Sequence, residues 1–234
     1  MTSHMASSRK AVHADRFESR GSRLSHLALA MQARRLAAQA RTSRLSVRPS
    51  AHDRILAAAS KLFREVGIQA TSVEVLSAAA GVSKSTFYRQ FRTKDDLVVA
   101  WLRDSRTRWF DGVLARLEAR SSDPAERIGF FFEGVAEWVD TEGYGGCPYL
   151  NVGIEMKDMT LVAQLVTQSV IQEVEDYLQG LIAAAGYRDS RRLAQEVQTL
   201  TAGAITLAVA RRSSATVLTA RDAAQKLLAA AARD

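Results

Sequence analysis

The chain holds one cysteine, three prolines and four histidines in 234 residues, and each scarcity removes a class of protein. A lone thiol, Cys147, cannot close an intrachain disulfide; it fits a reducing compartment and an expectation of cytoplasmic location. The histidines, His4, His13, His26 and His52, all lie in or beside the N-terminal arm. No imidazole is therefore left in the body to activate Cys147 or a serine as a nucleophile. CxxC, HxxxH and paired-carboxylate spacings are missing, as is a glycine-rich loop of the strand-to-helix type. The reading is of a protein that is not an enzyme and carries neither metal nor cofactor. Few prolines and abundant alanine favour helix, and no alternating run is long enough to argue for a sheet. No stretch of about 18 apolar residues occurs, so no membrane span is expected.

The net charge of +7 is unevenly placed. Residues 1–48 carry ten Lys/Arg against Asp15 and Glu18, whereas the other 186 residues carry 22 basic and 23 acidic side chains. The basic character thus belongs to an N-terminal arm. That arm reads as a solvated, Ser/Arg-rich tail with an amphipathic helix near residues 23–41, behind a leading "MTSHMAS" that resembles a vector scar.

From Pro49 the texture becomes helical. Ile55, Ala59, Leu62 and Val66 share one face, and Gly67 follows where a left-handed C-cap belongs. Thr71 with Glu74 reads as a capping box opening a short helix, Gly81 as a tight turn, and Ser83 as the cap of a third helix. Thr93 with Asp96 opens a fourth. Further on, Asp123-Pro124 starts a helix that ends in "TEGYGGCPYL". Helices near 149–157, 160–185, 190–212 and 215–232 follow. The fold class is all-α, divided into an arm (1–48), a helix-turn-helix domain (49–97) and a helical bundle (98–234).

Helix, short helix, glycine turn and third helix make a helix-turn-helix unit, whose last helix sets its N-terminal residues against base edges in the major groove. Ser83, Lys84, Ser85 and Thr86 hold those positions. Lysine can donate to guanine O6 and N7, and serine or threonine can pair with several edges. Tyr88, Arg89, Arg92 and Lys94 are spaced for phosphate oxygens on the flanks. Four cations and no anion lie between Gly81 and Lys94. By composition alone a solvated basic helix end would look the same.

The stretch "RILAAASKLFREVGIQATSVEVLSAAAGVSKSTFYRQFRTKDDLVVAWL", residues 54–102, resembles the DNA-binding domain of the TetR family of bacterial regulators. "AGVSKSTFYRQFRTKDDL" is its most specific part; beyond it the likeness is only one of helix pattern and length. Two positions depart from the family pattern: Ser85, where a smaller residue is usual, and Glu74, where basic or polar residues are frequent. The resemblance implies a homodimer that represses by occupying a palindromic double-stranded DNA operator and leaves when a small molecule binds the C-terminal domain. By position it also implies phosphate contacts from Thr71 and Lys94, packing of Tyr88 along the DNA backbone, and Phe87 as core anchor.

For the C-terminal domain the residues say less. Trp109, Phe110, Phe131, Trp138, Tyr149 and Tyr177 are candidate walls for an apolar or aromatic effector, with Asn151 and Glu155 as polar groups among apolar neighbours. Aromatic residues at helical spacing also make ordinary core. Leu193, Val197, Leu200, Ala204 and Ala208 on one terminal helix, with Leu227 and Leu228 on the next, form stripes suited to a dimer interface or to intramolecular packing. Cys147 lacks a neighbouring cation in sequence and reads as inert. Two whole-protein readings stand: a ligand-released repressor, and a low-specificity DNA binder whose basic arm supplies the affinity.

Overall fold

Ser50 starts the first helix by accepting the Asp53 amide on its hydroxyl at 3.1 Å. The computed structural model describes residues 49–141, 143–156 and 160–233; the arm at 1–48, with its expected helix, lies outside them. Helix α1 (Ala51–Glu65) turns Ile55, Ala59 and Phe63 inward and gives way to Gly67 at φ +91. Helix α2 (Val73–Ala80) is closed by Gly81 in the left-handed region. Helix α3 (Lys84–Gln90) is capped by Ser83, whose hydroxyl accepts the Thr86 amide. Helix α4 (Lys94–Thr107) opens on a complete Thr93–Asp96 capping box.

The chain then continues through a π-helical stretch, Arg108–Leu114, into the short helix α5 (Ala115–Glu118). Nothing in the sequence reading anticipated the π stretch, because one residue inserted into a helix shifts the phase without leaving a turn signal. Helix α6 (Pro124–Thr141) begins with Asp123 accepting the Ala125 amide at 2.9 Å. After a single 3₁₀ turn, Gly143–Gly145, come α7 (Pro148–Glu155), α8 (Leu161–Ala184), α9 (Ser190–Arg211) and α10 (Ala215–Ala230). No strand occurs among the described residues beyond one isolated bridge, Tyr187 to Arg233. The expected all-α class is the observed one.

Two apolar cores organise these helices. The first gathers Ile55, Phe63, Leu76, Phe87 and Leu97 of the helix-turn-helix, and also Trp101, Tyr149, Val152, Met156 and Val170. It therefore runs across the expected 97/98 boundary, and Ser50–Asp234 forms one compact unit. Helices α4, α7 and α8 seat the DNA-binding segment on the rest of the protein. The second core packs Phe131, Phe132 and Val139 of α6 against Leu178 of α8, Leu193 and Val197 of α9, and Val217 of α10. Phe110 and Cys147 touch both cores.

The second core corrects the dimer stripe. Leu193, Val197, Ala204, Ala208 and Leu228 are buried within the chain's own core, and Leu200 and Leu227 pack against the same core. These residues face α6 and α8. The outward face of the two terminal helices carries Thr199, Gly203 and Leu207 on α9 and Leu218 on α10, with Leu207 47% and Leu218 37% exposed.

Candidate nucleic-acid interface

Phe87 is the only buried residue of α3, and it anchors the helix in the first core, shared with Ile55 and Phe63 of α1 and Leu76 of α2. Its ring meets Tyr88 edge-on at 5.5 Å and Phe91 at 6.0 Å. With that anchor set, Ser83, Lys84, Ser85, Tyr88 and Arg89 are exposed and Thr86 half-buried on the leading face. The Ser83 hydroxyl lies 2.8 Å from the Ser85 hydroxyl and donates to Thr86 Oγ1 at 3.0 Å. A cluster of three hydroxyls beside an ammonium can donate to and accept from base edges.

The flanks differ from expectation at one residue. Thr71 is fully buried and donates its hydroxyl to the Gly67 carbonyl at 2.7 Å, so it faces no phosphate. The exposed neighbour, Ser72, caps α2 by accepting the Val75 amide at 3.3 Å. It thus takes the place at the surface that the sequence reading gave to Thr71. Lys94 is half-buried; desolvation pulls its pKa below the usual lysine value, and its ammonium donates to the Gln69 carbonyl at 3.5 Å.

An anion does stand on this face, contributed by the helix before. Glu74, in the first turn of α2, forms an ion pair with Lys84, the first residue of α3, and both side chains remain more than half exposed. The bond from Lys84, joined by the Glu74 amide and the Ser72 hydroxyl, lowers the carboxyl from 4.5 to about 2.

Three of the eight residues assigned to an effector cavity serve the DNA-binding segment instead. The Glu155 carboxylate accepts the Ile68 amide at 2.6 Å and the Gln69 amide at 3.3 Å, while the Gln69 side chain donates to the Glu155 carbonyl. Asn151 donates to the Gly145 carbonyl, which ties α7 to the 3₁₀ turn, and that turn packs on α1. There a Cβ on Gly145 would come within 2.7 Å of Arg64 Cα. Tyr149 is buried in the first core and donates its hydroxyl to the Leu102 carbonyl at 3.0 Å; burial raises its pKa. Hence the turn and α7 clasp the C-terminal end of α1 and the loop after it. The fit corrects the assignment: both polar groups amid apolar neighbours are satisfied by backbone partners, Asn151 six residues away at Gly145 and Glu155 far away in sequence at Ile68 and Gln69.

The remaining five assemble elsewhere. Trp109 meets Phe131 edge-on at 6.0 Å and Trp138 at 6.3 Å, and Phe131 lies 6.3 Å from Tyr177. Desolvation first, then Glu118, raises the Tyr177 pKa. Phe110, next to Trp109 on the π stretch, lies under the Arg106 guanidinium at 5.0 Å. Arg106 also donates through Nε to Glu173 of α8 at 2.7 Å. The π stretch brings Trp109 and Phe110 together with α6 and α8, the kind of helix irregularity that accompanies binding sites. Desolvation pushes the Cys147 thiol up, against a smaller opposite effect of the Leu150 and Tyr149 amides, as suits an inert residue.

Comparison with known proteins agrees with this geometry. Residues 55–101 match the family described as "Bacterial regulatory proteins, tetR family", and residues 124–223 match "Transcriptional regulator LmrA/YxaF-like, C-terminal domain". A relative, the uncharacterized HTH-type transcriptional regulator YezE of Bacillus subtilis, is 29% identical over 133 residues, which span 56% of this chain and 68% of YezE. A TetR-family regulator from Agrobacterium tumefaciens superposes with a TM-score of 0.69 at 21% identity, covering 75% of this chain and 96% of that one. E. coli NemR in its reduced form superposes with a TM-score of 0.65 at 20% identity, covering 79% and 99%. The two family matches together span more than half of the chain, and the first coincides with the helices that expose Lys84 and its hydroxyl neighbours: the protein belongs to the TetR family and is a transcriptional regulator with a helix-turn-helix DNA-binding domain.

Proposed function

We propose that the protein is a homodimeric repressor that occupies a palindromic operator and leaves it when a small molecule binds the C-terminal bundle. The observation that carries this reading is the clasp of Glu155 on the Ile68 and Gln69 amides. It joins α7 to the loop that sets the start of α2, and Gln69 in turn receives Lys94. A ligand that moves α7 would move a candidate phosphate contact and the phase of the helix-turn-helix together. The aromatic group of Trp109, Phe131, Trp138 and Tyr177 offers an effector apolar, aromatic surroundings.

Two-fold symmetric recognition needs a two-fold protein. The outward face of α9 and α10, with Gly203, Leu207 and Leu218, is the surface we assign to the partner protomer. Release is then a population shift between a dimer spaced for successive major grooves and one that is not. It requires a difference in effector affinity between the two states of about 1–3 kcal/mol or more.

A second reading, low-specificity binding through residues 1–48, rests on the charge held there. Selection of genomic fragments at physiological salt, with the full chain and with residues 49–234 alone, separates the two. The repressor reading expects the same few palindromic sites from both proteins, with a weaker salt dependence for the shorter one. Loss of all binding on removing the arm would favour the second.

A further inference from the structure

The anion on the DNA-facing surface needs an explanation. A carboxylate beside DNA meets phosphate repulsion, and Glu74, exposed on the surface, is ionised at neutral pH. A first-turn acidic residue does stabilise the dipole of α2. That role, however, needs no contact with another helix, and Glu74 pairs with the ammonium of Lys84 on α3. Lys84 is the first residue of the recognition helix, just where side chains meet base edges, so whatever touches its ammonium lies within reach of the same edge.

The chemistry of the pair matches one base pair best. In the major groove, cytosine presents an amino donor at N4 beside the guanine acceptors O6 and N7. A carboxylate next to an ammonium presents the complementary acceptor and donor. An A·T pair also sets a donor beside an acceptor, but thymine offers the ammonium a single acceptor with a methyl group alongside.

We propose that Glu74 is a base-selecting residue that acts with Lys84 as one reading unit, its carboxylate accepting from cytosine N4 while the ammonium donates to the paired guanine. The inference rests on the operator-binding reading above. At a site lacking this base pair the carboxylate and the ammonium are not both matched, and the phosphates' repulsion of the carboxylate is less well offset, so Glu74 weakens binding to non-operator DNA and raises specificity.

The test is selection from a random duplex library by the wild type, Glu74→Ala and Glu74→Gln, followed by affinities on the wild-type site and on a scrambled duplex. The exposed side chain leaves the fold intact in both variants, which far-ultraviolet circular dichroism checks. The expected result is one G·C position per half-site in the wild type, lost in E74A and shifted towards adenine in E74Q, since an amide pairs with adenine N6 and N7. E74A should also bind the scrambled duplex more tightly, narrowing the specific to non-specific ratio about tenfold or more. Identical base preferences in all three proteins would overturn the inference while leaving operator binding intact. No enriched site in the wild type would overturn both readings.

Discussion

The Glu155 carboxylate accepts the Ile68 amide at 2.6 Å across 87 residues of sequence, joining the last turn of α7 to the loop between the first two helices. This contact ties the C-terminal helices directly to the DNA-binding segment. Glu155→Ala removes the acceptor from an amide on a buried residue, which costs about 1–3 kcal/mol of stability. We expect a matching fall in the urea midpoint, and operator affinity reduced about tenfold, or ~1.4 kcal/mol. Glu155→Gln keeps one acceptor oxygen and should recover most of both in equilibrium unfolding and gel-shift titrations.

The two faces of α9 should respond differently to substitution. Leu193→Ala empties part of the protomer's own core and should cost about 2–5 kcal/mol in unfolding. Leu207→Glu adds a charge to the exposed face and should leave the protomer folded. Two-fold symmetry would bring the new charges together across the assigned interface, weakening dimerisation by on the order of 100-fold in sedimentation equilibrium. A dimer unaffected by Leu207→Glu would place the interface elsewhere.

Acid should expose the Glu74–Lys84 pair. The folded pKa, about 2, lies below the ordinary value of 4.5, so the native state prefers the ionised form. The resulting stabilisation is fully present above pH 4.5 and disappears as the pH falls through about 2. The stability difference between wild type and Glu74→Gln should therefore be flat above pH 4.5 and close below it. A difference that widens on acidification would contradict the pairing.

Local signals in the sequence were enough for the helix starts: the Thr93–Asp96 box, the Ser83 cap and Asp123-Pro124 each act within four residues. At Thr71 and Ser72 the same logic met two adjacent hydroxyls. Burial settles the choice, because Thr71 packs inward and bonds to Gly67, leaving Ser72 at the helix end. The face of α9 was harder, since apolar and small residues lie on both sides and only the positions of α6 and α8 distinguish them. Glu155 was the least legible. An acidic residue among apolar neighbours signals a buried partner but cannot say which, and its partners are backbone amides with no sequence signature. Of the expected effector residues, the aromatic ones other than Tyr149 lie together in or beside the π stretch, and Tyr149, Asn151 and Glu155 do not join them.

The most direct test of the DNA-reading surface compares wild type and Lys84→Ala on the selected operator and on a scrambled duplex over a range of salt. Lys84 directed at a base edge predicts a roughly 5- to 150-fold loss on the operator, little change on the scrambled duplex, and a salt slope altered by less than one. Equal losses on both duplexes, with the slope reduced by about one, would make Lys84 a phosphate contact and contradict the account.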